Sequence, residues 1–288
     1  MTSFYQTGAD DTQAIAEQES FIVTKEYRRF AEFCDACLRE KYIGLCYGAP
    51  GVGKTLSARY YAKWYFLEKR LPTNLPYLPL HQEISSCRTL LYTAEITSTP
   101  RTIKDDIGSM RVQLGRFVEE LLPKEQRTLM ASDIPNYCNL IIVDETERLK
   151  MGGIEQFREI YDKGDVGLIF IGMPGLEKQL SRYPQLYSRI GFAHNYRTLS
   201  KEEMRFLLEI YWEQFGLSMN PNDYTDAEAI ATICRVTNGN FRLVNRLFRQ
   251  IERIMKINEL SCITAALKDT ASHKVVEAAR ECLVIGAV

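Results

Sequence analysis

Residues Gly48–Thr55 read G-A-P-G-V-G-K-T and fill the pattern G-x-x-x-x-G-K-[ST] completely. Glycines at these places let the backbone curl until successive N–H groups converge on phosphate oxygens, and the positive end of a following helix adds to the field. The cradle would comprise Gly48, Ala49, Pro50, Gly51, Val52, Gly53, Lys54, Thr55 and Leu56. Lys54 is placed to reach the β- and γ-phosphates of a nucleoside triphosphate, and Thr55 to offer its hydroxyl to Mg²⁺. Further along, N-L-I-I-V-D-E at Asn139–Glu145 supplies two acids at the end of an apolar run. Asp144 would orient the cation and its waters, and Glu145 would be the base that polarises an attacking water.

Such groups must be carried by elements that meet at one edge. Apolar segments recur at Tyr42–Tyr47, Thr89–Thr93, Leu140–Val143, Val166–Ile171 and Phe192–Tyr196, and helical stretches separate most of them. Short apolar strands alternating with helices imply an α/β fold: a mostly parallel sheet covered on both faces. The phosphate loop then lies between the first strand and a helical run from Leu56 to Leu67. An amphipathic helix from Thr24 to Glu40 precedes the sheet, after a loose tail over residues 1–20. The stretch Leu71–Cys87, with Pro72, Pro76 and Pro79, reads as an extended surface excursion. After about Thr198 the strands stop, and Lys201–Phe215, Asp226–Val236, Phe241–Ile257 and His273–Cys282 all read as helices. Ser200 is a suitable cap for the first of these, with Glu202 and Glu203 in its first turn. The expected division is a tail at 1–20, an α/β nucleotide-binding domain at 21–198 and a small all-helical domain at 199–288.

The chain has 288 residues, 45% of them hydrophobic, enough for a well-packed core. A net charge of −1 excludes a uniformly basic DNA-coating protein but leaves room for a local basic strip. No apolar run approaches the ~18–20 residues of a membrane span, and the start MTSFYQTGADDTQ is too polar for a signal peptide. The expectation is a cytoplasmic protein with no membrane partner. Cys34 and Cys37 form a C-x-x-C, but they lie in an apolar stripe with Phe30, Phe33 and Leu38 at helical spacing. Packing is therefore expected rather than metal or redox chemistry.

The spacing of the two acidic and glycine-rich motifs, with helices behind, resembles the AAA+ superfamily. Within it the chain resembles the DNA-transposition regulators MuB, TnsC and TniB, and more distantly IstB. The matching residues run from about Phe21 to Ile257: a helix leading into G-x-P-G-V-G-K-T, L-I-F-I-G-M at Leu168–Met173, S-R-I at Ser188–Ile190, and N-G-N-F-R at Asn238–Arg242. The resemblance implies ATP and Mg²⁺ as ligands and a helical C-terminal lid, while slow hydrolysis is expected from a departure from the family pattern at Gly172 or Met173. It implies an arginine finger at Arg189, with Arg182 in reserve, reaching the γ-phosphate held by a neighbouring subunit. It also implies a sensor-2 arginine at Arg242. A surface arginine closing a helix remains the plainer reading of Arg189. Two departures stand out. Gly172 or Met173 occupies the place where AAA+ proteins usually carry a polar sensor-1 side chain, so water positioning is expected to be poor. The stretch before the first helix is also expected to be too short for the additional DNA-binding domain of MuB.

Arg242, Arg246, Arg249, Arg253 and Lys256 recur at helical steps along one face of Phe241–Ile257, opposite Leu243, Val244, Leu247, Ile251, Ile254 and Met255. Such a face could follow a phosphate backbone, or be solvated or face another subunit. The segment T-S-T-P-R-T-I-K, Thr97–Lys104, has hydroxyls and cations suited to phosphate contacts, and the resemblance to filament-forming relatives implies DNA there, through Thr99, Arg101 and Lys104. A plain capped helix start fits the same residues. The first functional reading is an ATP-dependent regulator that oligomerises on duplex DNA as a ring or filament, selects target DNA and recruits or activates a separate DDE transposase. A replication initiator or helicase loader, and a signalling or secretion-linked ATPase, are the alternatives.

Overall fold

The computed structural model describes residues 20–71, 80–127, 130–214, 224–257 and 279–281. The chain divides into two compact units. One runs to Gly48 and resumes over Lys54–Tyr196, and the other joins Ala49–Gly53 to the chain from Arg197 onward.

The first unit begins, among the described residues, with α1 (Lys25–Glu40). The Thr24 hydroxyl accepts from the Tyr27 N–H at 3.1 Å and caps its start. Lys41, left-handed at φ 54°, closes its end by donating to the Cys37 carbonyl. Phe30, Phe33, Cys34 and Cys37 share the buried face that sequence spacing indicated. Burial holds the Cys34 thiol well above its ordinary value and pushes the Cys37 thiol up to about 12, so both serve as apolar packing groups.

β1 (Ile43–Tyr47), β2 (Thr89–Thr93), β3 (Leu140–Asp144), β4 (Gly167–Gly172) and β5 (Ile190–Asn195) form one sheet in the order β2-β3-β4-β1-β5. Every pairing is parallel, with Ile43 beside Leu168 and Ile141 beside Leu168 setting the central register. Central strands enclosed on both faces have no wet side, which explains why β3 and β4 are unbroken apolar runs rather than alternating ones. β5 is the exception. It is an edge strand, largely exposed, and it starts two residues earlier than its apolar stretch suggests.

Flanking helices complete the unit: α2 (Lys54–Tyr61), α3 (Trp64–Leu67), α4 (Pro100–Leu121), α5 (Met151–Lys163), α6 (Leu176–Leu180) and α7 (Pro184–Tyr187). α1 packs on β1, β4 and β5, while α4 packs on β2 and α5. Phe30, Phe66, Phe157 and Phe170 are fully buried, each contributing roughly 1.5–3 kcal/mol by leaving water. Of the proline-bearing excursion, 72–79 lie outside the described residues and Gln82–Ser86 form a 3₁₀ turn.

The second unit contains α8 (Lys201–Gln214), α9 (Tyr224–Thr237) and α10 (Phe241–Ile257). Ser200 and Glu203 cap α8 reciprocally, the Ser200 hydroxyl accepting from the Glu203 N–H at 3.2 Å and the Glu203 carboxylate from the Ser200 N–H at 2.9 Å. Met204, Leu207, Leu208, Ile233, Val244, Leu247, Phe248 and Ile251 form its core. Phe248, which the stripe reading left out, stacks on Tyr211 at 4.4 Å. The helix expected at His273–Cys282 lies outside the described residues except for helical 279–281, and the tail at 1–19 lies outside them entirely. Among the described residues, no helix is long and apolar enough to cross a membrane.

Candidate nucleotide site

All the strands run parallel, so their carboxyl ends share one edge, where loops carry functional groups in open α/β sheets. β1 delivers the phosphate loop there and β3 delivers Asp144 and Glu145. Gly51 has φ 79° and Gly53 φ 114°, conformations that a side chain resists and that explain glycine at both places. The helix α2 starts at Lys54, immediately after the loop.

Within the first unit, the Lys54 ammonium is 9% exposed and donates to the Gly48 carbonyl at 2.7 Å. Burial lowers its pKa from the ordinary value, while nearby acidic groups, Asp144 and Glu147 among them, pull it back up. The Thr55 hydroxyl donates to Asp144 Oδ2 at 2.7 Å, and the Glu145 N–H donates to Asp144 Oδ1 at 2.9 Å. Asp144 is 3% exposed, and this burial raises its pKa against the pull of those two donors. A buried carboxylate beside a hydroxyl is a hard-oxygen donor set that fits Mg²⁺. Next to it Glu145 is left-handed at φ 55° and half-exposed, its carboxylate 3.5 Å from the Arg148 guanidinium. Arg148 also reaches the Ala94 carbonyl at 3.5 Å, at the end of β2. Held in this way, Glu145 is turned out of the strand direction toward solvent.

Within the second unit, the loop residues Ala49–Gly53 meet the start of α10. The Asn240 side-chain amide donates to the Pro50 carbonyl at 2.8 Å, and the Arg242 N–H donates to the Gly51 carbonyl at 2.9 Å. Asn240 also caps α10, its Oδ1 accepting from the Leu243 N–H at 3.2 Å. Arg242 thus touches the phosphate loop through its backbone, with its side chain exposed. Arg246, Arg249 and Arg253 are exposed on the same helix, whereas the side chain of Lys256 lies outside the described residues.

The remaining expected site residues are spread more widely. Arg189 closes α7 and pairs with Asp162 of α5, Nε to Oδ1 at 2.7 Å and Nη2 to Oδ2 at 3.2 Å, with Nη1 donating to the Gln185 carbonyl. Arg182 is exposed after α6. Thr99 caps α4 in a reciprocal box with Thr102. Arg101 is 92% exposed with a 3.8 Å pairing to Asp105, and Lys104 is also exposed. Leu56 is partly exposed on the first turn of α2.

Three residues had not been singled out from the sequence. Asn240 lies inside the quoted N-G-N-F-R, but nothing local marks it as a loop clamp. Arg148 and Glu147 follow the acidic pair in a 3₁₀ turn, Thr146–Arg148, a common place for surface charge. Glu147 is nevertheless placed inward, and a Cβ built on Gly172 would stand 2.6 Å from its Oε2. A cleft of about 770 Å³ lies apart in the second unit, lined by Leu199, Met204, Ile230 and Cys234 among others, with no residue of the phosphate loop.

Residues 38–180 match the family model described as an AAA domain. The chain is 47% identical over 279 residues to a potential ATP-binding protein of Staphylococcus aureus, covering 94% of this chain and 99% of that one. It is 20% identical over 257 residues to the Mu-like prophage FluMu DNA transposition protein B of Haemophilus influenzae, covering 86% and 78%. Among solved structures it resembles the Thermotoga maritima RuvB Holliday junction branch migration motor, with TM-score 0.56 and 14% identity over 93% of this chain and 72% of that one. The Aeropyrum pernix ORC1 protein in complex with DNA gives TM-score 0.53 and 19% identity over 90% and 65%. The two structural likenesses speak for the fold. With 47% identity to the staphylococcal protein across nearly the full length of both, an AAA domain over the phosphate loop and acidic strand, and a parallel sheet flanked by helices, the chain belongs to the AAA+ P-loop ATPases.

Proposed function

We propose that this protein is an ATP-dependent regulator of DNA transposition in a bacterial or phage cytoplasm, one that oligomerises on duplex DNA and recruits or activates a separate DDE transposase. ATP would lie on the loop Gly48–Thr55, with Lys54 on its terminal phosphates and Thr55 and Asp144 holding Mg²⁺. The observation that carries the nucleotide reading is the Thr55–Asp144 bond at 2.7 Å, which brings hydroxyl and carboxylate together beside Lys54. When bound, Mg²⁺ would draw charge from the phosphates. Glu145 takes the proton of the attacking water as its oxygen bonds to the γ-phosphorus, and the broken P–O bond leaves its electron pair on the β-phosphate.

Residues 199–288 would act as the lid, with Arg242 answering the nucleotide from the start of α10. Arg189 would serve a neighbouring protomer's γ-phosphate, which requires it to leave Asp162. Exposed Arg101 and Lys104, with Thr99, would contact DNA phosphates without reading bases. Support for the transposition reading is the 20% identity with transposition protein B across 86% of this chain.

The test is electron microscopy with random-sequence duplex DNA and a slowly hydrolysed ATP analogue. Nucleotide-dependent rings or filaments on any sequence are expected. Monomeric particles under those conditions would refute the assembly, and ATP-dependent loading of a replicative helicase in their place would move the protein to replication.

A further inference from the structure

The end of β4 lacks the polar side chain that hydrolysis at this edge calls for, because Gly172 occupies it. The space beside Gly172 is not empty. Glu147 enters it from the turn after β3, and an added Cβ at Gly172 would meet Glu147 Oε2 at 2.6 Å and a Leu176 methyl at 3.1 Å. A contact below 3.0 Å forces something to shift, so any side chain at Gly172 would displace the Glu147 carboxylate from the place it holds beside β4. Glu147 Oε2 is buried and has no hydrogen-bond partner within the described residues. A buried acceptor in that condition is costly unless a donor reaches it. Lys54 feels the charge of Glu147 as well as those of Asp144 and Glu145, so this oxygen belongs to the same acidic edge.

We propose that Glu147 supplies the polar group that β4 lacks, its Oε2 accepting a hydrogen bond from the attacking water while Glu145 accepts that water's proton. A water donates two hydrogens. With both accepted, its lone pair has a defined direction toward the phosphorus, and the ordering that costs entropy is done before reaction. The inference rests on the reading of Glu145 as base. It replaces the expectation of poor water positioning at Gly172 with a carboxylate delivered from a different strand's turn.

The test is a set of variants read in two ways. In ATP turnover, Glu147→Ala is expected to lower kcat about tenfold or more with KM and calorimetric ATP affinity nearly unchanged, since the lost contact is made in the reaction rather than in binding. Gly172→Asn in the Glu147→Ala background, which returns a polar group from β4, is expected to recover at least about threefold of the lost kcat. Without nucleotide, Gly172→Ala is expected to lower the melting temperature, and Glu147→Ala combined with it to restore most of that loss. Two results would overturn the inference: a kcat for Glu147→Ala within twofold of the parent, or no relief of the Gly172→Ala melting defect in the double variant. A parent protein that binds ATP without turning it over would remove the Glu145 assignment first and this inference with it.

Discussion

Arg189 Nε lies 2.7 Å from Asp162 Oδ1, an ion pair inside one protomer made by the arginine expected to reach another. Both side chains are about one-third exposed, so the pair is within reach of solvent and of a second chain. Such a pair contributes about 0.2–1 kcal/mol. Exchange of Asp162 for a phosphate across an interface is therefore inexpensive. Arg189→Ala should leave ATP affinity near that of the parent and reduce assembly and turnover together, about tenfold or more for turnover. Sedimentation with nucleotide and a phosphate-release assay check this, and parental turnover would return Arg189 to a purely local role.

Glu145→Gln keeps the size of the side chain and removes its ability to take a proton. Turnover should fall by about 10²-fold or more, while calorimetry should show ATP retained. Any assembly on DNA should outlast that of the parent, because the trigger for release is gone. Loss of ATP binding in this variant would mean that Glu145 supports the loop rather than the chemistry.

Asn240 holds Pro50 by a side-chain bond and caps α10 with its other side-chain atom. Asn240→Ala removes both, at a cost of about 1 kcal/mol for each neutral hydrogen bond. Weaker ATP binding by about fivefold or more is expected, readable by calorimetry beside an unchanged far-ultraviolet spectrum. Gly51→Ala should be worse, because φ 79° and a 2.6 Å approach to Asn240 Oδ1 both exclude a methyl group.

The buried thiols give a pH-dependent prediction. Burial pushes Cys37 from its ordinary 9.0 up to about 12 and Cys87 up to about 11. A raised folded-state value stabilises the fold fully below the unfolded value and loses that contribution as pH climbs through the folded one. Stability should therefore decline between about pH 9 and pH 12 as the unfolded chain gives up protons that the native chain keeps. Cys34→Ala and Cys37→Ala variants should show a shallower decline in alkaline melting curves. At pH 8 the native protein should leave both thiols unmodified by iodoacetamide, and the denatured protein should not.

The sequence by itself determined the features that depend on neighbours along the chain. The loop Gly48–Thr55 announces itself through glycines whose φ values no other residue adopts cheaply, and β3 and β4 through apolar runs too short for helices. Ser200 announced its cap through its spacing from Glu203, and Cys34 and Cys37 their packing through the stripe they share with Phe30 and Phe33. Tertiary structure alone decided the rest. Asn240 clamps Pro50 from 190 residues away, and Arg189 takes Asp162 from 27 residues away. Glu147 fills the place left by Gly172 because parallel strands end at one edge. No local preference encodes these meetings, and Glu147 comes to Gly172 only because the sheet order β2-β3-β4-β1-β5 sets the ends of β3 and β4 side by side.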